Sequence, residues 1–243
     1  MQQYLEPEVA SVQALLGLSD ILYVTDSQRY HALWLFQDKL LPALTSNQTR
    51  KHMGSTDRDL SHELPLLLFA VASLLIAIES GDPGLKSIAQ TNKQNLTTVY
   101  TAACSALDDS FSASYSSTKL LEAAAIVNAE VKTTRRRLTS DYLLEMHAKI
   151  EEAGLATLQC VKLETCYMIL ELLYASKDYR KSQPLECGGK LLAAAIIATA
   201  FAITVIPSKV TSLPFLSWLS DLSKHPKEVI KAQTVQVLAY ILQ

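Results

Sequence analysis

The chain has 243 residues, of which 49% are hydrophobic and only 7% aromatic, with seven glycines and a formal net charge of −2 at pH 7. This length suits one large domain or two of about 120 residues, and either arrangement can bury a core. The composition, rich in Ala and Leu, favours helices, and the scarcity of glycine excludes turn-rich β-sandwiches and barrels.

Hydrophobic residues at three- to four-residue spacing predict five helices in the first half of the chain. These helices cover residues 6–18, 26–44, 61–80, 85–91 and 96–108, and a polar loop covers 46–61. The third helix is apolar on nearly every face, so we expect the other helices to surround it. A Gly/Pro break at 81–84 ends this third helix.

The second half opens with a serine-rich stretch at 110–117, which predicts a flexible connection, and with an Ala-rich helix at 118–131. Five further helices are predicted at residues 140–153, 157–176, 185–206, 213–222 and 226–242. The run 191–208 carries no charge over 18 residues, which reaches the minimum length of a membrane span. Its six alanines and its shorter counterpart at 64–78 instead favour a buried central helix, so no membrane partner is predicted.

The two halves of the chain repeat the same order of elements. Each contains a long uncharged helix, a break, a short helix, a polar turn and a longer helix. Internal repetition of this kind predicts two similar units. We therefore predict an all-α protein with a first repeat at 1–115, a basic linker helix at 116–138 and a second repeat at 139–243.

Five helices around a buried third one, present twice, resemble the tandem cyclin fold of the cyclins and of transcription factor IIB. Residues 73–89 (SLLIAIESGDPGLKSIA) resemble the transcription factor IIB pattern of an apolar helix, a Gly/Pro turn and a short helix of the Phe/Leu-Lys-Glu-Ile type. Residues 96–100 (LTTVY) stand where that family opens its next helix. In the second repeat, Pro184 before the Ala-rich run and residues 227–231 (KEVIK) resemble the openings of two further family helices.

Cyclins carry a Lys near the end of the third helix that grips a kinase together with a Glu two helices later. In this sequence Ile78 stands at the Lys position, followed by Glu79, so the kinase-gripping pair is not intact. The zinc ribbon of the transcription factor IIB family is absent from this sequence, which is interpreted as a core fragment or a divergent member.

The transcription factor IIB resemblance implies tandem cyclin-like five-helix bundles that act in the nucleus. It implies the core of a general transcription initiation factor, which binds a TATA-binding-protein-like factor and promoter DNA and helps to recruit RNA polymerase II. Its mechanism would be recognition without catalysis. Two alternatives stay open: a cyclin-type regulatory subunit of a protein kinase, and a helical scaffold of unrelated topology.

The same resemblance implies a helix-turn-helix at the end of each repeat, whose second helix enters a DNA major groove. Residues 1–115 hold 7 Lys/Arg and 12 Asp/Glu, and residues 116–243 hold 15 and 12, so phosphate contacts are expected from the second half. Lys231 falls where the family places a base-reading Arg. The candidate DNA contacts are Lys132, Arg135, Arg136, Arg137, Lys209, Lys224, Lys227 and Lys231. A solvated helix face of mixed charge is the alternative interpretation.

No motif in the sequence indicates an active site, a metal or a cofactor. The five histidines are scattered, no Gly-rich phosphate loop occurs, and the four cysteines form no C-x-x-C pair. We therefore predict reduced, buried thiols and a protein that is not an enzyme.

Overall fold

The computed structural model describes residues 7–44, 66–80, 93–107, 109–130, 137–154, 160–176, 189–204 and 215–242. Over these residues the protein is all-α, with eleven α-helices and no β-strand, as the composition predicted. The chain divides into two compact units, Met1–Arg135 and Arg136–Gln243. The predicted loop at 46–61 and the predicted short helix at 85–91 lie outside the described residues.

Six of the helices belong to the first unit and five to the second. The first unit contains α1 (Pro7–Ile21), α2 (Asp26–Trp34), α3 (Leu66–Ser80), α4 (Lys93–Ala106), α5 (Asp109–Ser114) and α6 (Ser117–Glu130). The second contains α7 (Thr139–Glu152), α8 (Leu163–Ala175), α9 (Gly189–Thr204), α10 (Phe215–Ser223) and α11 (Lys227–Ile241). A π-helical segment, Leu35–Leu40, follows α2 directly.

Helix α3 is the centre of the first unit. Every residue from 68 to 77 is buried, and helices α1, α2, α4 and α6 pack against it. The one hydroxyl in this stretch, on Ser73, donates to Phe69 O (2.9 Å), which satisfies the buried polar group within the helix. Because α3 is apolar all round, it is stable only when neighbours cover every side, as they do here.

Helix α9 has the same position in the second unit. Residues 192–201 are all buried, and α7, α8, α10 and α11 pack against this helix. The Thr199 hydroxyl donates to Ala195 O (2.9 Å), as Ser73 does in α3. Across the part of the chain that the structure describes, no helix combines the length and the apolar character needed to cross a membrane.

The packing order is similar in the two units. In each unit the first helix (α1 or α7) and the second helix (α2 or α8) pack on the central helix. The last helix (α6 or α11) also packs on the central helix, and no other helix of the unit does so more extensively. The fourth helix, α4 or α10, packs on both the central and the last helix. The prediction that each uncharged run is the centre of its own unit is confirmed.

Helix α6 occupies the segment that the sequence assigned to a linker, and it packs inside the first unit. Leu120, Ala123, Ala124 and Val127 are buried at three- to four-residue spacing, and the helix lies against α3 and α4. This apolar face makes α6 the closing helix of the first unit.

Two local features differ from the predicted helices. The sequence predicts one continuous α-helix at 26–44, whereas the structure changes to π-helical turns at Leu35–Leu40. The sequence also predicts a flexible connection at 110–117, and this is wrong because α5 forms there. Phe111 of α5 is buried between Tyr100 and Tyr115, with ring centroids 6.5 and 5.2 Å away, and Tyr100 Oη donates to Tyr115 O (2.8 Å).

Candidate nucleic-acid interface

Hydrogen bonds of both side chains and backbone stabilise the turn that joins helices α10 and α11. Helix α10 ends at Ser223, and Lys224 follows in the left-handed region with a φ of 62°. The Lys224 amide donates to Ser220 O (2.9 Å). The Ser220 hydroxyl donates to His225 O (2.7 Å), and Ser223 Oγ accepts from the His225 amide (3.3 Å). The two serines thereby fasten the turn between α10 and α11.

The inward faces of this motif anchor it to the core of the second unit. Ile230, Gln233 and Val237 of α11 are buried at three- to four-residue spacing, and α11 packs extensively on α9. Phe215, at the start of α10, stacks on Phe201 of α9 with ring centroids 4.2 Å apart. Because both helices are held by buried side chains, the outward face of α11 has a defined orientation.

Three lysines lie together at the exposed end of the motif: Lys224 in the turn, and Lys227 and Lys231 one helical turn apart on α11. We call these residues the basic trio. None of the trio is ion-paired with any other described residue. No side chain caps α11, whose N-terminal amide dipoles also favour an anion. Glu228, exposed between the lysines, is the one acidic residue on this helix.

Arg137 lies immediately before α7 and makes its contacts with residues of that helix. Its Nη2 donates to Glu145 Oε2 (2.6 Å), and its guanidinium lies over the Tyr142 ring at 4.6 Å. Lys149 Nζ donates to the other oxygen of Glu145 (3.0 Å). The hydrogen bond to Glu145 raises the pKa of Arg137, and the hydrogen bonds from Lys149 and Arg137 lower the pKa of Glu145.

The structure thus brings three of the eight predicted DNA contacts together. Arg137 is engaged by a carboxylate, which competes with a phosphate for the same donors. The remaining predicted contacts lie outside the described residues: Lys132, Arg135, Arg136 and Lys209. The positive φ of Lys224 and the two serines of the turn have no sequence signal of their own, because Ser and Lys occur in many local structures.

The first unit offers a different surface at the equivalent place. By its packing on the central helix, α6 is the counterpart of α11, whereas the sequence had assigned that role to the helix at 96–108. Exposed Lys119 and Glu122 lie on the first turns of α6. With one cation beside one carboxylate, the described part of this face has no equivalent of the basic trio.

An open groove of about 640 Å³ lies where α7 meets the start of α8. Leu144, Ala148 and Leu163 line it, and His147 closes its floor by donating from Nε2 to Val161 O (2.9 Å). The lining also includes three charged residues of both signs: Glu151, Lys162 and Glu164. The histidine holds the segment before α8 against α7, and this is a structural role.

Metal-binding and thiol chemistry have little support among the described side chains. In these ranges no three or more His, Cys, Asp or Glu residues are grouped so that they could hold a metal ion. Burial, with a smaller contribution from Glu164, raises the pKa of Cys166 to about 12, so its thiol stays protonated at neutral pH. Among the described residues, the candidate site is the basic trio in the turn before α11 and at the start of that helix.

In comparisons with known proteins, the sequence matches no protein-family model and no curated protein sequence.

Proposed function

We propose that the chain is the core of a general transcription initiation factor of the transcription factor IIB kind. In this proposal two cyclin-like units bind a TATA-binding-protein-like factor and promoter DNA, and so help to recruit RNA polymerase II in the nucleus. The protein recognises its partners and catalyses no reaction.

The observation that supports the proposal is the basic trio, which lies in the turn between α10 and α11 and at the start of α11. Lys224 has a left-handed backbone conformation, in which a glycine would make the folded state more stable than a lysine does. The lysine instead adds a third cation to those of Lys227 and Lys231. Lysines and an uncapped helix N-terminus are groups that contact DNA phosphates. The repeated five-helix packing around α3 and α9 supports the cyclin-like part of the proposal.

The cyclin alternative has weaker support at the end of α3. Ile78, at the position of the kinase-gripping Lys, has its carbonyl oxygen bonded by Gln28 Nε2 of α2 (3.4 Å), and the neighbouring Glu79 is buried. This end of α3 therefore serves packing against α2. A kinase that binds through a cyclin-like surface would need different contacts.

A salt titration of duplex binding tests the DNA part of the proposal. We expect Lys227→Ala/Lys231→Ala to weaken duplex binding by this chain and to reduce the slope of log K against log salt by about one for each phosphate that is no longer neutralised. The matched control is Lys93→Ala/Lys119→Ala, which removes two exposed lysines from the first unit. An equal decrease in affinity for both double variants would contradict a site on α11.

A competitive pull-down tests the partner. The whole 243-residue chain is offered a TATA-binding-protein homologue and a panel of cyclin-dependent-type kinases in one mixture. Retention of the TATA-binding-protein homologue supports the proposal, whereas retention of a kinase without it supports the cyclin alternative.

A further inference from the structure

The open groove where α7 meets the start of α8 has an exposed apolar wall on the α7 side. Leu144, Ala148 and Glu151 line the groove and follow one another at spacings of four and three residues, so they share one face of the helix. The Leu144 side chain is 55% exposed. This face of α7 is therefore apolar over most of its length and ends in a carboxylate.

The outward face of α8 has the same composition. Glu164 lines the groove, and Met168 and Leu172 continue its face of the helix at spacings of four residues. Met168 is 64% exposed and Leu172 is 54% exposed. Large apolar side chains that lie exposed in one row beside a groove indicate a contact surface. We call the following residues the α7–α8 surface: Leu144, Ala148, Glu151, Glu164, Met168 and Leu172.

The charges of the α7–α8 surface are concentrated at one end. Glu151 lies in the last turn of α7 and Glu164 in the first turn of α8, so both carboxylates lie where the two helices meet. Glu151 approaches only His147 Nδ1, at 3.7 Å, and Glu164 forms no ion pair with any described residue. Lys162 is the one lysine or arginine in the groove lining. Exposed Glu152 and the carbonyl end of α7 add negative potential, so this end favours a cation.

We propose that the α7–α8 surface binds a peptide segment of a partner protein, in which apolar side chains are followed by Lys or Arg. The apolar side chains of the peptide cover Leu144, Met168 and Leu172, and its cation lies between Glu151 and Glu164. The face from Glu164 to Leu172 is about 12 Å long, enough for about four residues of extended chain. The same carboxylates repel nucleic-acid phosphates and anionic lipid headgroups, so charge favours a peptide over either.

Selection from a random peptide library by the whole 243-residue chain tests this inference. The selected peptides are synthesised, and their affinities are measured by fluorescence anisotropy. We expect apolar residues next to a Lys or Arg in these peptides. Leu144→Asp should weaken their binding about tenfold or more, because it places a charge in the apolar part of the contact. The matched control is Leu121→Asp, at a leucine of the first unit that is 40% exposed, which should leave the affinity unchanged.

Reversal of the charge tests the choice of occupant. Glu151→Lys/Glu164→Lys should weaken binding of the selected peptides about tenfold at low salt and less at high salt. The same double variant should bind more tightly than the unchanged chain to synthetic peptides in which Glu replaces each Lys and Arg. The control is Glu122→Lys/Glu228→Lys, which makes the same change of net charge at exposed positions outside the α7–α8 surface. Met168→Asp repeats the apolar test at a second exposed side chain, in case Leu144→Asp lowers the thermal unfolding midpoint.

Several outcomes would overturn the inference without affecting the proposed DNA binding. They are a library that yields no enriched peptide, selected peptides that lack a cation, and equal affinity of these peptides for the unchanged chain and Glu151→Lys/Glu164→Lys. Sedimentation of the unchanged chain as a dimer that Leu144→Asp converts to a monomer would show that a second copy covers the surface, which also overturns it.

Discussion

Tyr23 ends helix α1 in a backbone conformation that favours glycine. Its φ is 50°, its amide donates to Asp20 O (3.2 Å), and the next amide, on Val24, donates to Ser19 O (3.1 Å). These two bonds form a Schellman motif, whose left-handed residue is usually Gly. The Tyr23 side chain is 92% exposed, so it buries almost no area to offset the strain.

We therefore expect Tyr23→Gly to stabilise the protein. Relief of a left-handed conformation is worth about 1 to 2 kcal/mol, and the extra freedom of glycine in the unfolded chain costs about 0.4 to 1 kcal/mol. The net gain is on the order of 0.5 to 1 kcal/mol, measured as a rise in the midpoint of thermal unfolding. Gly154→Ala is the reverse control, because Gly154 has a φ of 62° and open space where a Cβ would lie, and it should lower the midpoint. A lower midpoint for Tyr23→Gly would contradict this expectation.

Cys166 should resist thiol reagents in the folded protein. With its pKa raised to about 12 by burial, only about one thiol in ten thousand is ionised at pH 8. Cys104 and Cys160 are partly exposed. Mass spectrometry of alkylated peptides should show Cys104 and Cys160 modified in the folded protein and Cys166 only after addition of denaturant. Equal alkylation rates for Cys160 and Cys166 under native conditions would mean that the structure around Cys166 opens readily.

At the scale of an element, the ion-pair network of α7 gives a pH-dependent contribution to stability. The folded-state pKa of Glu145 is lowered by Lys149 and Arg137, so its contribution is complete above the unfolded-state pKa, near 4.3, and is lost as the pH falls through the folded-state value. Glu145→Gln should therefore be less stable than the unchanged protein at pH 7, by a small amount that salt reduces. The difference should vanish in acid.

Glu152→Gln is the control for this network, because Glu152 is exposed on the same helix and makes none of the ion pairs among the described residues. Denaturant unfolding at pH 7 and at pH 3 measures both variants. If Glu145→Gln and Glu152→Gln behaved alike at pH 7, the network would contribute nothing measurable.

Several elements could be predicted from the sequence because their signals are local. The absence of charge over 64–78 and over 191–206 was enough to identify α3 and α9 as central helices, since no exposed helix tolerates that composition. The short helix α5 was missed because serine-rich sequence alone favours a loop. It forms because Phe111 is buried against Tyr100, and that contact depends on the tertiary structure.

Only part of the candidate site could be predicted, because the sequence shows local signals and not tertiary contacts. The lysines of the basic trio were identified by their charge and, for Lys231, by the resemblance of residues 227–231 to a family helix. The sequence had no signal that Arg137 would pair with Glu145, eight residues later, because Arg137 lies before the helix begins and its direction depends on the turn. The π-helical turns at Leu35–Leu40 were also unpredictable, since they differ from α-helix by hydrogen-bond register and not by composition.

At the scale of the whole molecule, the two units differ in charge while sharing a packing order. Residues 1–135 hold 10 Lys/Arg and 14 Asp/Glu, a net charge of −4, and residues 136–243 hold 12 and 10, a net charge of +2. These sums agree with the −2 of the whole chain. The second unit, where the basic trio lies, is therefore the electrostatically more favourable of the two for a polyanion.

Each unit has its own central helix, and the slowest hydrogen exchange should lie there. We expect the amides of residues 68–77 in α3 and of residues 192–201 in α9 to be the most protected of their units, because complete burial keeps solvent from them until the unit opens. The measurement is native-state hydrogen exchange on the whole 243-residue chain. Faster exchange in α3 than in α4, which has only Val99 and Ala103 buried, would contradict this expectation.

Matched cavity variants extend this prediction to the separation of the two cores. Leu75 and Ile196 are both fully buried, one in each central helix, and Leu→Ala or Ile→Ala at such sites costs about 2 to 5 kcal/mol. Leu75→Ala should accelerate hydrogen exchange in α3 and in its neighbours α1, α2 and α6. Ile196→Ala should accelerate hydrogen exchange in α9 and in its neighbours α7 and α11. Leu144→Ala, at a residue that is 55% exposed, should change little. Equal acceleration of both central helices by Leu75→Ala would mean that the chain opens as one cooperative core, because a cavity confined to one unit would otherwise destabilise that unit alone.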